Sequence, residues 1–82
     1  MDDPTIIREA VFKVIDNQMK QNDPPETNIT YKRLEKEGYS KEDTKKLIAQ
    51  CVAVELYNGI KHKQPFNLER YLRNLKNLPE EP

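Results

Sequence analysis

Four side chains with useful chemistry lie on one line of a predicted helix in the middle of the chain. They are a thiol, a carboxylate, an amide and an imidazole, and we call them the polar stripe: Cys51, Glu55, Asn58 and His62. At about 100° per residue they fall within roughly 60° of one another around the helix. Such a set could hold a metal ion or supply a thiol–histidine pair for nucleophilic catalysis.

The axial spacing of the polar stripe argues against both chemistries. At about 1.5 Å per residue, His62 lies about 10 Å along the helix from Glu55 and about 16 Å from Cys51. Zinc ligands lie about 2.0–2.3 Å from the metal, so this helix alone cannot bring Cys51 and His62 to one ion. A thiol–histidine pair fails for the same reason. The favoured interpretation is a helix edge where a small buried thiol is followed by polar residues.

Glu55 interrupts an otherwise apolar run, which permits two interpretations. A buried carboxylate with a raised pKa could act as an acid or a base. Alternatively, Glu55 lies at the rim, or it forms a salt bridge or hydrogen bond with a base or a tyrosine on a neighbouring helix. The second interpretation is favoured, because no second acid on this helix is placed to form a carboxylate dyad. A metal or acid–base site near Cys51 and Glu55 is therefore the third of three functional hypotheses.

A concentration of positive charge near the C-terminus is the second candidate site. This basic patch combines five bases with a single acid, Glu69, and its bases are Lys61, Lys63, Arg70, Arg73 and Lys76. The bases could contact phosphate groups or an acidic partner, and Phe66 and Tyr71 could stack on nucleic-acid bases. The favoured interpretation is the solvated face of a terminal helix, with bases near the negative end of the helix dipole.

Composition and motifs narrow the function class. The sequence has no Gly-rich phosphate loop, no G-x-S-x-G, no H-E-x-x-H and no cysteine cluster. We therefore expect a protein that is not an enzyme and has no cofactor. Fourteen bases balance fourteen acids, which is unlike a dedicated nucleic-acid binder or a polybasic membrane protein. The chain has a single cysteine, and its acidic start, Met-Asp-Asp-Pro, is unlike a signal peptide. Both features favour a cytoplasmic location.

The element that must position these residues is a long helix predicted at about residues 40–61. Ser40 is suited to cap its start, and the run from Leu47 to Tyr57 is apolar on nearly every side. Those eleven residues are far short of the roughly 20 that span a bilayer. The pattern therefore predicts a buried helix that other helices must surround.

Three shorter helices are predicted at about residues 4–20, 27–37 and 67–77. Asp3 and Pro4 begin the first, Gly38 ends the second, and Asn67 caps the last. Period-two alternation is absent. The prediction is thus an all-α, compact four-helix domain spanning residues 1–82, with tails at 1–3 and 79–82.

The apolar pattern also predicts which side of each shorter helix faces inward. In the first helix the inner line is Ile7, Val11, Val14 and Gln18, with Ala10, Ile15 and Met19 beside it. In the second it is Ile29 or Thr30, with Tyr31 and Leu34. In the last it is Leu68, Tyr71 or Leu72, Leu75 and Leu78, and Phe66 can staple to Tyr71.

Several short motifs follow one another in an order that carries a resemblance. They are Asp3-Pro4, Asn17-Gln18, Asn22-Asp23-Pro24-Pro25, Tyr31-Lys32-Arg33-Leu34, Cys51-Val52, and Pro65 with Tyr71-Leu72-Arg73-Asn74-Leu75. With these motifs the chain resembles, over about residues 3–78, a bacterial domain-of-unknown-function family of small all-helical proteins. The resemblance implies an all-helical fold and a bacterial cytoplasm. That family carries histidines where this chain has Arg8, Phe12 and Lys46, so a role for those histidines does not carry over.

The first functional hypothesis is a protein-interaction or structural module that binds an unknown protein partner or a second copy of itself. The reason for this hypothesis is that the long helix at about residues 40–61 is apolar on nearly every side, and three short helices would leave part of it uncovered. Nucleic-acid binding through the basic patch is the alternative. No membrane partner is expected.

Overall fold

The computed structural model describes residues 4–82, with side chains described from Ile7 onward. It contains four helices, α1 (Pro4–Gln21), α2 (Pro25–Lys36), α3 (Lys41–His62) and α4 (Leu68–Asn77). Within residues 4–82 there is no β-strand, and the predicted all-α, four-helix fold is confirmed. The predicted Asp3 cap and the tail at residues 1–3 lie outside the described residues.

The ends of the helices follow the predicted local chemistry. The Ser40 hydroxyl accepts a hydrogen bond from the Asp43 backbone N–H at 3.0 Å, which caps α3. The Asn67 side chain accepts from the Arg70 N–H at 3.0 Å and caps α4 in the same way. Gly38 follows α2 with a φ of 106°, a left-handed conformation that favours glycine.

The start of α2 differs slightly from the prediction. The helix begins at Pro25, two residues before the predicted start at about Thr27. A proline fits the first helical position because the N–H that it lacks would have no partner within the helix there. Pro24 precedes it in an extended conformation, with φ −74° and ψ 149°.

The core lies where α3 meets the other helices. Both α3 and α2 pack against all three of the remaining helices, so α2 shares the central position predicted for α3 alone. The buried side of α3 is a single stripe, made of Thr44, Ile48, Cys51, Val52 and Glu55. The other helices contribute Val11, Ile15, Leu34, Tyr71, Leu75 and Leu78 to the same core.

Each of the shorter helices wholly or partly buries most of its predicted inner face, but some of the residues predicted to face inward are exposed. On α1, Ile15 is fully buried whereas Ile7 is 37% exposed, so the inner line passes through Val11 and Ile15. On α2, Thr30 faces the core and Ile29 is 63% exposed. On α4, Tyr71 is buried and Leu68 is half exposed.

A buried polar cluster explains why hydroxyl groups occupy inward positions. The Thr27 hydroxyl and the Tyr71 hydroxyl each donate to the Gln18 side-chain oxygen at 2.7 Å, and the two hydroxyl oxygens lie 3.0 Å apart. Burial raises the pKa of Tyr71 to about 12, so its hydroxyl keeps the proton that it donates. The cluster satisfies these buried groups and joins α1, α2 and α4.

Thr44 differs from Thr27, because its buried hydroxyl has no hydrogen-bond partner among the residues that the structure describes. We expect Thr44→Val to raise the free energy of unfolding by about 1 kcal/mol, since an unsatisfied buried hydroxyl is replaced by a methyl group of similar shape. The same change at Thr27 is the matched control, and it should cost about 1 kcal/mol because hydrogen bonds are lost. Urea melts of both variants measure this, and a destabilised Thr44→Val protein would contradict it.

Candidate protein-interaction groove

The polar stripe does not converge on a site. Burial raises the pKa of the Cys51 thiol to about 11, which keeps it protonated and a poor nucleophile or metal ligand at neutral pH. The Asn58 amide donates to the Val54 carbonyl of its own helix at 2.8 Å. His62 is exposed at the last position of α3. In the described part of the chain, no three His, Cys, Asp or Glu side chains are placed to hold a metal ion.

Glu55 forms an ion pair that connects α3 to the start of α4. Glu55 is 2% exposed, and its carboxylate accepts two hydrogen bonds from the Arg70 guanidinium, from Nε at 2.6 Å and from Nη2 at 2.9 Å. It accepts a third from the Asn67 backbone N–H at 2.8 Å. The predicted salt bridge to a base on a neighbouring helix is therefore present.

The alternative interpretation of Glu55, a carboxylate with a raised pKa, is wrong. The hydrogen bonds from Arg70 lower the pKa of Glu55 below 4.5, and the Asn67 N–H acts in the same direction. Together they outweigh burial, which alone would raise the pKa. An ionised carboxylate held by three donors is a structural link, because it has no proton to give near neutral pH.

The members of the basic patch have different surroundings. Arg70 is engaged with Glu55, and Lys61 donates to the Tyr57 hydroxyl at 2.8 Å. Lys63 is exposed just beyond α3. The other two bases, Arg73 and Lys76, line a groove between α2 and α4. Its charged lining also includes Arg33 and the acids Glu26 and Glu69.

The aromatic residues near the basic patch are used in packing. The ring of Phe66 meets the ring of Tyr71 edge-on, with centroids 5.2 Å apart, which confirms the predicted staple. Because Tyr71 is fully buried, its ring is not available to stack on a nucleic-acid base.

An open groove with a volume of about 810 Å³ lies between α1 and α3. We call it the α1/α3 groove. Its apolar lining consists of Ile7, Val11, Phe12, Ala49 and Ala53. Its polar lining, mostly exposed and therefore at the rim, consists of Arg8, Glu42, Lys45, Lys46 and Gln50.

The groove is open because the side chains on the outer side of α3 are small. Ala49 and Ala53 lie one turn apart and leave space above the helix. Beyond Ala53, a smaller recess continues along α3 past Tyr57, which is 56% exposed, and the tail residues Glu81 and Pro82 line its edge. Residues 7–82 therefore leave part of the apolar run on α3 uncovered, as the sequence predicted.

Positive charge predominates around the α1/α3 groove. Among the residues that the structure describes, three bases and one acid line it. Lys45 lies 5.3 Å above the centre of the Phe12 ring and 2.6 Å from the Asp16 carboxylate. Lys46 pairs with Glu42 at 3.2 Å across one turn of α3, in an exposed ion pair of the kind that water and salt weaken.

The location of this groove was not predicted from the sequence. Its walls come from two segments that are thirty residues apart in the chain, residues 7–12 and 42–53. The available signal was the excess of apolar positions on α3, which predicted an uncovered surface without its location.

No protein-family model, curated protein or solved structure matches this chain. The resemblance to the bacterial family of small helical proteins stays a prediction. Across the described helices, none combines the length and apolar character needed to cross a membrane.

Proposed function

We propose that this chain is a non-enzymatic protein-interaction module whose binding surface is the α1/α3 groove. The observation that carries the proposal is the apolar floor of the groove, open to solvent on a domain of only 82 residues. Exposed apolar surface rimmed by polar side chains is typical of sites where another protein binds. A second protein that covered this floor would remove it from water.

The chemistry of the remaining candidates supports a binding role over catalysis. Cys51 is buried and protonated, and Glu55 is ionised and held by Arg70. Neither group offers the exposed nucleophile or the proton donor near neutral pH that catalysis needs.

Nucleic-acid binding through the basic patch has less support. Arg70 is committed to Glu55, and the groove that contains Arg73 and Lys76 is also lined by two acids. We also propose a cytoplasmic location in a bacterium, which rests on the single free Cys51 and on the resemblance stated above.

The groove can be tested by site-specific photo-crosslinking in cells. A benzophenone side chain at Gln50, which is exposed at the rim, is expected to give an adduct of defined mass. The same side chain at Lys32, exposed on α2 and outside the groove, should give none. Ala53→Arg should abolish the Gln50 adduct by filling the groove.

The mass of the adduct would name the partner, as a different protein or a second copy of this chain. Absence of an adduct at Gln50, or equal adducts at Gln50 and Lys32, would remove the support for the groove as a binding surface.

A further inference from the structure

The dimensions of the α1/α3 groove match a short helix. Its lining on α3 runs from Glu42 to Ala53, which is about 16 Å, or about three helical turns. Both walls are helices, and a third helix can seat its side-chain ridge between them above Ala49 and Ala53. Proteins that bind amphipathic helices use an apolar groove of this kind, with anchors at i, i+3 or i+4, and i+7.

The charges at the rim indicate the flanks of that helix. Among the described residues, bases stand on both walls, Arg8 on α1 and Lys45 and Lys46 on α3. The two lysines also meet acids of this chain, Asp16 and Glu42, in largely exposed ion pairs that water and salt weaken. The chain as a whole is neutral, so this positive bias is local to the groove. Acidic side chains on either side of an apolar stripe would meet a base on each wall.

A second copy of this chain fits the groove less well. In a symmetric dimer the same surface meets itself. Three bases and one acid would then face the same three bases and one acid. Such like-charge contacts oppose association.

We infer that the occupant of the α1/α3 groove is an amphipathic α-helix of a partner protein, with an apolar stripe flanked by acidic side chains. The inference rests on the proposed function, because it names the class of ligand for the same groove. It also assigns Arg8, Lys45 and Lys46 as the residues that select the ligand by charge.

The test uses three synthetic peptides of about five helical turns, or about 18 residues. One has a leucine stripe flanked by glutamates, one has the same stripe flanked by lysines, and one has the acidic composition with the stripe scrambled. In fluorescence anisotropy at low salt, we expect the acidic peptide to bind about tenfold more tightly than the basic one. The difference should shrink as salt is added, and the scrambled peptide should not bind.

Charge-reversal variants locate the effect. Arg8→Glu combined with Lys46→Glu should weaken binding of the acidic peptide and strengthen binding of the basic one. The matched double variant Lys20→Glu with Lys32→Glu makes the same change in net charge at exposed positions outside the groove lining, and it should keep the original preference. Thermal melts of both proteins check that they are folded.

Other results separate the inference from the function on which it rests. The acidic and basic peptides could bind equally well, with binding blocked by Ala53→Arg and not by Ala10→Arg on the exposed side of α1. That result would overturn the preference for an acidic helix, but it would still support the groove as a binding surface. No binding of any peptide, or equal binding of the scrambled one, would overturn the inference, while the Gln50 crosslink still tests the function independently. A dimer in sedimentation equilibrium that Ala53→Arg dissociates would overturn it in favour of a second copy.

Discussion

The Val52→Asp variant is expected to be unfolded under conditions where the unchanged protein is fully folded. Val52 is completely buried on the inner stripe of α3, where the helix meets the core. An unpaired carboxylate there costs several kcal/mol. Small domains have total stabilities of only about 5–15 kcal/mol, and the shortest lie near the lower limit. Far-ultraviolet circular dichroism during a urea titration measures the loss directly.

Gln50→Asp is the matched control for Val52→Asp. It places the same residue two positions earlier on the same helix, at an exposed site, so the loss of helix propensity is similar and burial is absent. We expect it to shift the free energy of unfolding by less than about 1 kcal/mol. If Val52→Asp melted like Gln50→Asp, the inner stripe of α3 would be assigned to the wrong side.

Glu55→Gln is expected to lower the free energy of unfolding at neutral pH by about 2 kcal/mol. The substitution keeps the size of the side chain and removes the charge that strengthens its hydrogen bonds with Arg70 and Asn67. The matched control is Glu37→Gln, whose partner Arg33 forms an exposed ion pair, and its loss should be within about 0.5 kcal/mol.

The pH dependence distinguishes an ion pair from ordinary packing at Glu55. Because folding lowers the pKa of Glu55 below 4.5, its contribution to stability is complete above that pH and is lost as the pH falls through the folded-state pKa. The difference in stability between the unchanged protein and Glu55→Gln should therefore close in acid. A difference that stays constant in acid would show that the carboxylate charge is not the stabilising feature.

Arg70→Met should reverse the sign of this pH dependence. Without Arg70, burial is the main influence on Glu55 and raises its pKa above the unfolded-state value. Protonation then favours the folded state, so the contribution of Glu55 is present at low pH and is lost as the pH rises through the folded-state pKa. Thermal melts from acidic to neutral pH would show a variant that is relatively more stable in acid, and an unchanged profile would contradict the burial of Glu55.

Local sequence is sufficient to predict the four helices and most of their ends. Ser40, Asn67 and Gly38 act within three or four residues of their own positions, and Phe66 packs on Tyr71, which is five residues away. These interactions depend on backbone geometry that the local sequence specifies, so they can be predicted without knowing where the other helices lie.

The contacts between side chains of different helices depend on how the helices pack, which local sequence does not specify. The choice of Thr30 over Ile29 as an inward residue depends on how α2 is rotated against its neighbours. Glu55 finds Arg70 fifteen residues away, and Gln18 finds Tyr71 fifty-three residues away. The α1/α3 groove likewise exists because two helices distant in the chain lie side by side with small residues between them. Helix periodicity fixes the order of residues around each axis, but the rotation and separation of the helices come from the packing of the whole core.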